Sequence, residues 1–161
     1  MPVTWPYLAE TSIFSNTGVA CFGHNVPMSY KAPGFTAATP YLCIEGASAA
    51  IDFYKKAFNA VETHRDVAED GSIRHAQILI DDAHFMISDY KPQYGFMKST
   101  QQNVTPGVAI FLYLPDADAT FKQAIAAGAK EIMAMSDQHY GRTGGIQDPF
   151  GILWWPTTHK G

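Results

Sequence analysis

Apolar residues recur along this chain at two spacings, and the switches between them mark out its elements. Tyr41-Leu42-Cys43-Ile44 is a short strand-like run. Gly46-Ala47-Ser48 then opens a helix in which Ala50, Ile51, Tyr54, Ala57 and Phe58 return at three- and four-residue steps. Strands are predicted over residues 61–68, 73–80 and 84–88, separated by the turn signals Asp70-Gly71 and Asp81-Asp82. The pattern then restarts. Residues 109–114 read as a strand, and Pro115-Asp116 starts a helix with Ala117, Phe121, Ala124 and Ile125 on one face. Asp116 is a good N-cap and Gly128 a natural stop. Strands are predicted over 131–135, 143–147 and 152–155, the last two parted by Pro149-Phe150-Gly151.

The order is therefore βαβββ twice, offset by roughly 70 residues, which is the mark of a duplicated unit. Phe58-Asn59-Ala60-Val61 after the first helix is echoed by Ala127-Gly128-Ala129-Lys130 after the second. The predicted class is α+β: two βαβββ modules, about 39–90 and 107–159, forming curved mixed sheets around a cleft with helices outside. Both modules fall in a single domain over 35–161. Residues 1–34, broken by proline and glycine without a clear period, read as an irregular arm.

A chain of 161 residues is long enough for a real core, and 47% hydrophobic with 16% charged residues argues against disorder. The net charge of −4 disfavours nucleic acid as a partner. No apolar run approaches a membrane span and no signal-peptide pattern opens the chain, so a soluble, cytoplasmic protein is expected. Cys21 and Cys43 have no metal-type spacing and make no disulfide framework; Cys43 reads as a small buried hydrophobe. The 13% aromatic content fits either a well-filled core or an aromatic-lined pocket.

Four stretches resemble, in order and at matching spacing, the vicinal-oxygen-chelate superfamily (glyoxalase, bleomycin resistance protein, dioxygenase), and within it the PhnB-like branch. They are Thr39-Pro40-Tyr41-Leu42 with residues 50–58; Asp70-Gly71-Ser72-Ile73-Arg74-His75-Ala76; Ser88-Asp89; and Asp148-Pro149-Phe150-Gly151 with Trp154-Trp155 and Thr158-His159. One departure stands out: the family's Gly-Asp-Arg appears here as Tyr140-Gly141-Arg142, without the acidic residue.

The resemblance implies a metal site built from one His or Glu on the first, fourth, fifth and eighth strands. Those positions fall on Thr39, on Met86 to Ser88, on Val108 or Ile110, and on Trp155. None is an imidazole or carboxylate of the kind a labile divalent ion needs. No metal and no other cofactor is expected. Strand parity points His75, Gln77 and Leu79 into the cleft and Ala76, Ile78 and Ile80 under the helix. Trp155 shares the face of the missing ligands and suits stacking on a flat or cationic guest. Asp89, Asp137, Tyr140 and Arg142 are expected around the mouth. The candidate ligand-binding set is His75, Gln77, Asp89, Tyr140, Arg142 and Trp155.

Two functions follow from the resemblance. The first is binding or sequestration of an aromatic, antibiotic-like small molecule. The second is a glyoxalase-like isomerase or lyase with His75 or a carboxylate as general base. A metal-dependent dioxygenase is disfavoured, because no iron-binding triad can be assembled. Relatives commonly pair, so a homodimer is expected, with the arm adding to its interface.

Overall fold

The structure, a computed structural model, describes residues 32–94 and 107–160. The expected arm therefore lies almost wholly outside the described residues. The first module runs β1 (Tyr41–Ile44), α1 (Ala47–Phe58), β2 (Val61–Val67), β3 (Ile73–Ile80) and β4 (Ala83–Asp89). The second runs β5 (Ala109–Tyr113), α2 (Ala117–Ala126), β6 (Lys130–Gln138), β7 (Gly141–Gln147) and β8 (Leu153–His159). Each module folds its four strands into one sheet, in the orders β1-β4-β3-β2 and β5-β8-β7-β6. In both, the first and last strands pair in parallel and the other neighbours antiparallel. The two-module α+β architecture is the one the periodicity predicts.

Alternation along the strands gives each sheet two unlike faces. In the first, Leu42, Ile44, Ala76, Ile78, Ile80, Phe85 and Ile87 are buried on the side of α1. In the second, Leu112, Ile146 and Trp154 are buried on the side that packs Phe121 and Ala124 of α2. The two helix-bearing faces share one core: Trp154 packs on Tyr54, Phe58 and Phe85, with ring centres 5.3, 4.7 and 5.6 Å apart. The opposite, open faces of both sheets are only partly covered within the described residues.

The helices begin by different means. Asp116 caps α2 locally, its side chain accepting from the Ala119 N–H at 2.9 Å. Helix α1 starts behind Gly46 in a left-handed conformation (φ 82°) with no capping side chain of its own. Its first amides are held instead by Asp89, at the far end of β4, which accepts from Gly46 N and Ala47 N at 3.1 and 2.9 Å and from Ile73 N at 2.6 Å. Thr158 occupies the same place in the second module, accepting from Ala117 N at 2.8 Å and donating to the Leu114 carbonyl at 3.0 Å.

Three strands differ by two residues or more at one end from the sequence expectation. β8 runs through Pro156, although a proline normally ends a central strand for want of an N–H. The β7–β8 ladder is paired on either side, at Ile146↔Trp154 and Thr143↔Thr157, but not at the two positions between, so no amide of Pro156 is needed there. β6 continues to Gln138 as an exposed, twice-bulged edge whose polar residues hide its period. β7 begins at Gly141, where a Cβ would lie 2.4 Å from the Thr158 carbonyl oxygen. Only glycine lets the two strands approach so closely.

Candidate functional site

The open face of the first sheet carries an unusual set of side chains for a half-exposed surface. Register places Tyr41 and Cys43 on β1, Met86 and Ser88 on β4, His75, Gln77 and Leu79 on β3, and His64 and Asp66 on β2 on this face. Most are half-buried and Ser88 is buried. The His75 ring stacks with Tyr41 at 6.0 Å between centres and meets His64 at 5.9 Å. Its Nε2 lies 3.2 Å from the Gln77 amide nitrogen. An amide nitrogen only donates, so His75 Nε2 accepts and the proton sits on Nδ1. Burial first, and the neighbouring His64 second, push the His75 pKa below the ordinary imidazole value, with Asp66 pulling the other way. His75 is therefore neutral near pH 7 and offers the open face a donor.

The open face of the second sheet is aromatic. Phe111 and Trp155 are in register on the parallel strands β5 and β8. Phe111 also meets Tyr113 and Tyr140, at 5.2 and 5.9 Å between ring centres. Phe111 and Tyr113 remain 42% and 59% exposed, large areas for aromatic rings. Beneath this layer Thr143 and Thr157 are fully buried and bonded to each other, Oγ1 to Oγ1, at 2.7 Å. Gly145 leaves the backbone bare under the Trp155 indole; a Cβ there would stand 2.9 Å from its ring carbons.

Not all the expected site residues gather here. His75, Gln77 and Trp155 take open faces, and Tyr140 lies at the β6–β7 turn beside Phe111. Asp89 does not line a mouth: its carboxylate faces the helix side and is spent on three backbone amides. Arg142 also lies on the helix side, where its Nε and Nη2 donate to the two carboxylate oxygens of Asp118 of α2 and Nη1 reaches Asp137 at 3.4 Å. These carboxylates hold the guanidinium pKa well above its usual value; Arg142 in turn lowers Asp118, while Asp137 is lowered first by Lys160 and then by Arg142. The missing acidic neighbour of Arg142 in the sequence is thus replaced from α2. Sequence reasoning passed over His64, Tyr41 and Phe111. The hairpin register about Asp70-Gly71 was the signal for His64, since it sets His64 opposite Gln77.

On the open faces Tyr41 of β1 is in register with Met86 of β4, and Phe111 of β5 with Trp155 of β8, while Thr39, the first-strand expectation, lies just ahead of β1. The fifth-strand expectation of Val108 or Ile110 needs correction: Ile110 pairs with Trp154 on the helix side, so the open-face residue is Phe111. No divalent ion is held by a phenol, a thioether, a phenyl and an indole. Among the described residues no three His, Cys, Asp or Glu side chains come together as a metal-binding group. The donor set does not fit the superfamily metal.

Asp148, from the Asp-Pro-Phe-Gly turn, joins the modules. Its buried carboxylate accepts from Tyr54 Oη of α1 and Trp154 Nε1 at 2.9 Å each, and from the amides of Phe150 and Ile152 at 2.9 and 2.8 Å. Burial outweighs these four donors and holds its pKa above the usual carboxylate value.

Two βαβββ modules with open sheet faces define a protein of the vicinal-oxygen-chelate architecture. The model of the Glyoxalase/Bleomycin resistance protein/Dioxygenase superfamily matches residues 36–155, and the chain belongs to that superfamily. The uncharacterized protein Rv0887c of Mycobacterium tuberculosis is 43% identical over 122 residues, covering 73% of this chain and 71% of its own. The crystal structure of TioX from Micromonospora superposes with a TM-score of 0.60 at 22% identity, covering 78% of this chain and 98% of TioX. A PhnB protein from Bacillus cereus does so with a TM-score of 0.58 at 16% identity, over 76% and 99%. At such identities the two structures show a shared fold.

Proposed function

We propose that this protein binds a small, flat organic molecule between its open sheet faces, without a metal and without turnover. The observation that carries the reading is Trp155. Its indole sits at the centre of the second open face, over bare Gly145 backbone and in register with Phe111. An aromatic surface left part-exposed beside half-buried polar groups is the composition of a small-molecule site rather than of a core. A second, isologous copy completes the cleft in this reading, because the described residues leave each open face only partly covered. A cytoplasmic homodimer near the PhnB-like branch is the form we expect. No helix among the described residues is long and apolar enough to cross a membrane.

Calorimetric titration of the protein with a panel of flat aromatic compounds tests the reading. Trp155→Ala should weaken whichever compounds bind by more than about tenfold, the worth of one good stacking contact. Wild-type affinity in that variant would overturn the cleft. Light scattering that finds a monomer at micromolar concentration would remove the dimer. The isomerase or lyase alternative draws support only from the His64–His75 pair. As a base toward a substrate, His75 would have to exchange the bond its Nε2 accepts from Gln77 for the substrate's proton.

A further inference from the structure

We propose that the open face of the first sheet is an anion-accepting site, in which His75, with His64 beside it, takes the anionic oxygen of a small flat acid and gains a proton as it binds. The inference rests on the binding reading above and adds the chemical class of the ligand. Three observations carry it.

The first is the direction of the hydrogen bond at His75. With Nε2 accepting from Gln77, the ring's remaining nitrogen is a donor, and what a donor selects is an oxygen acceptor. The second is the company it keeps. His64 stands 5.9 Å away on β2, so an acceptor between the rings meets two imidazoles, while Tyr41 stacks on the far side of His75 and offers a wall for a planar body. The third is the charge on the face. From β1 come Tyr41 and Cys43, from β2 His64 and Asp66, from β4 His84 and Ser88; α1 packs behind the sheet. The carboxylate among these, Asp66, is gripped by Arg74 through Nε at 3.0 Å and Nη2 at 2.8 Å. Its charge is matched, and among the described strand residues that register puts on this face no other is a carboxylate.

The free site is poised to respond. Burial and the second imidazole both keep His75 neutral when nothing is bound. An anion placed between the rings reverses the balance, since an opposite charge within hydrogen-bond reach favours the protonated ring; the added proton comes from solvent to Nε2, and the Gln77 amide turns to present its oxygen to it. The resulting bond is charge-assisted and shorter and stronger than the neutral one. A neutral guest of the same shape gains none of this.

Matched pairs of aromatic carboxylates and their primary amides, such as naphthoates and naphthamides, test the proposal on the full chain. Titration calorimetry near neutral pH in two buffers of different ionisation enthalpy reads affinity and proton uptake together. The carboxylates should bind about tenfold or more tightly than the amides and take up protons. His75→Gln and His64→Gln, checked for native folding by circular dichroism, should abolish the preference and the uptake. Trp155→Ala should weaken acid and amide alike. Equal binding of acid and amide, or an acid preference that survives both histidine substitutions, overturns the anion site while the cleft stands. Binding of neither class to folded protein overturns the cleft as well.

Discussion

Replacing Asp148 by asparagine should damage this protein more than the loss of any surface ion pair, and the geometry says how. Asparagine keeps the shape and, through Oδ1, keeps the amides of Phe150 and Ile152. The second position becomes an NH2 facing Tyr54 Oη and Trp154 Nε1, both of which now donate at 2.9 Å. The tyrosine hydroxyl can turn and accept; the indole cannot. One fully buried donor is left facing another donor. Loss of a bond to a charged acceptor costs about 1.5–3 kcal/mol, and stranding a buried donor adds about 1–3 kcal/mol, with overlap between the two. We expect roughly 2–4 kcal/mol, or about 6–12 °C in melting temperature for a domain of this size. Tyr54→Phe, which removes one of four donors cleanly, should cost about 1–2 kcal/mol. The decisive comparison is Asp148→Asn in a Trp154→Phe background. With the indole N–H gone the clash is gone, so the double variant should be less destabilised than the sum by about 1 kcal/mol or more. Urea unfolding of the four proteins measures the cycle. Additive losses, or an Asp148→Asn variant within about 0.5 kcal/mol of wild type, would refute the account of Asp148 as the joint between modules.

Asp89→Ala removes the acceptor for three backbone amides and should destabilise the first module by about 2 kcal/mol, read by urea unfolding and by faster hydrogen exchange at Ala47 and Ile73. Gly141→Ala forces a Cβ against the Thr158 carbonyl and should lose most folded protein on expression. Gly144→Ala meets the end of the mobile Met135 side chain first, then the Phe121 ring, and should be milder, a difference visible in melting temperature. His75 has a folded-state pKa below its unfolded value, so the folded chain binds that proton less readily. Its contribution to stability is complete above the unfolded pKa and is lost as pH falls from there through the folded value. His75→Gln should therefore lose less stability than wild type between about pH 7 and pH 5; an identical pH slope counts against a depressed His75.

What could be read from sequence was what local chemistry decides. Strand Ile73–Ile80 alternates cleanly and was bounded at both ends, and Asp116 caps α2 through its own side chain. What could not be read was what distant chain decides. Nothing near Gly46 shows that Asp89, across the sheet, holds the start of α1. Nothing near Arg142 shows that Asp118 will claim it, so a residue placed at a cleft mouth proves to pin a hairpin to a helix. The eighth strand was expected to stop at 155 and runs on through Pro156, because the neighbouring strand leaves that step of the ladder unpaired. His64 sat in plain view, but its meaning depended on a register that runs through two irregularities in β2.

In the proposed reading the two modules take different tasks on one scaffold. The end of the fourth strand anchors a helix start in both, by Asp89 in one and Thr158 in the other, so the backbone frame of the duplication survives intact. At the middle of the same strands the side chains have diverged in kind. Tyr41 and Met86 face outward in the first sheet, Phe111 and Trp155 in the second. Where a metal would need four ligands aimed at a point, these four side chains cannot coordinate but can be laid against. A guest held there must be gripped by stacking and by the few polar groups around it. Those groups are unequally shared: the imidazoles and the amide belong to the first sheet, the bare aromatic rings to the second. A molecule with one polar edge and one flat apolar body is the shape that satisfies both.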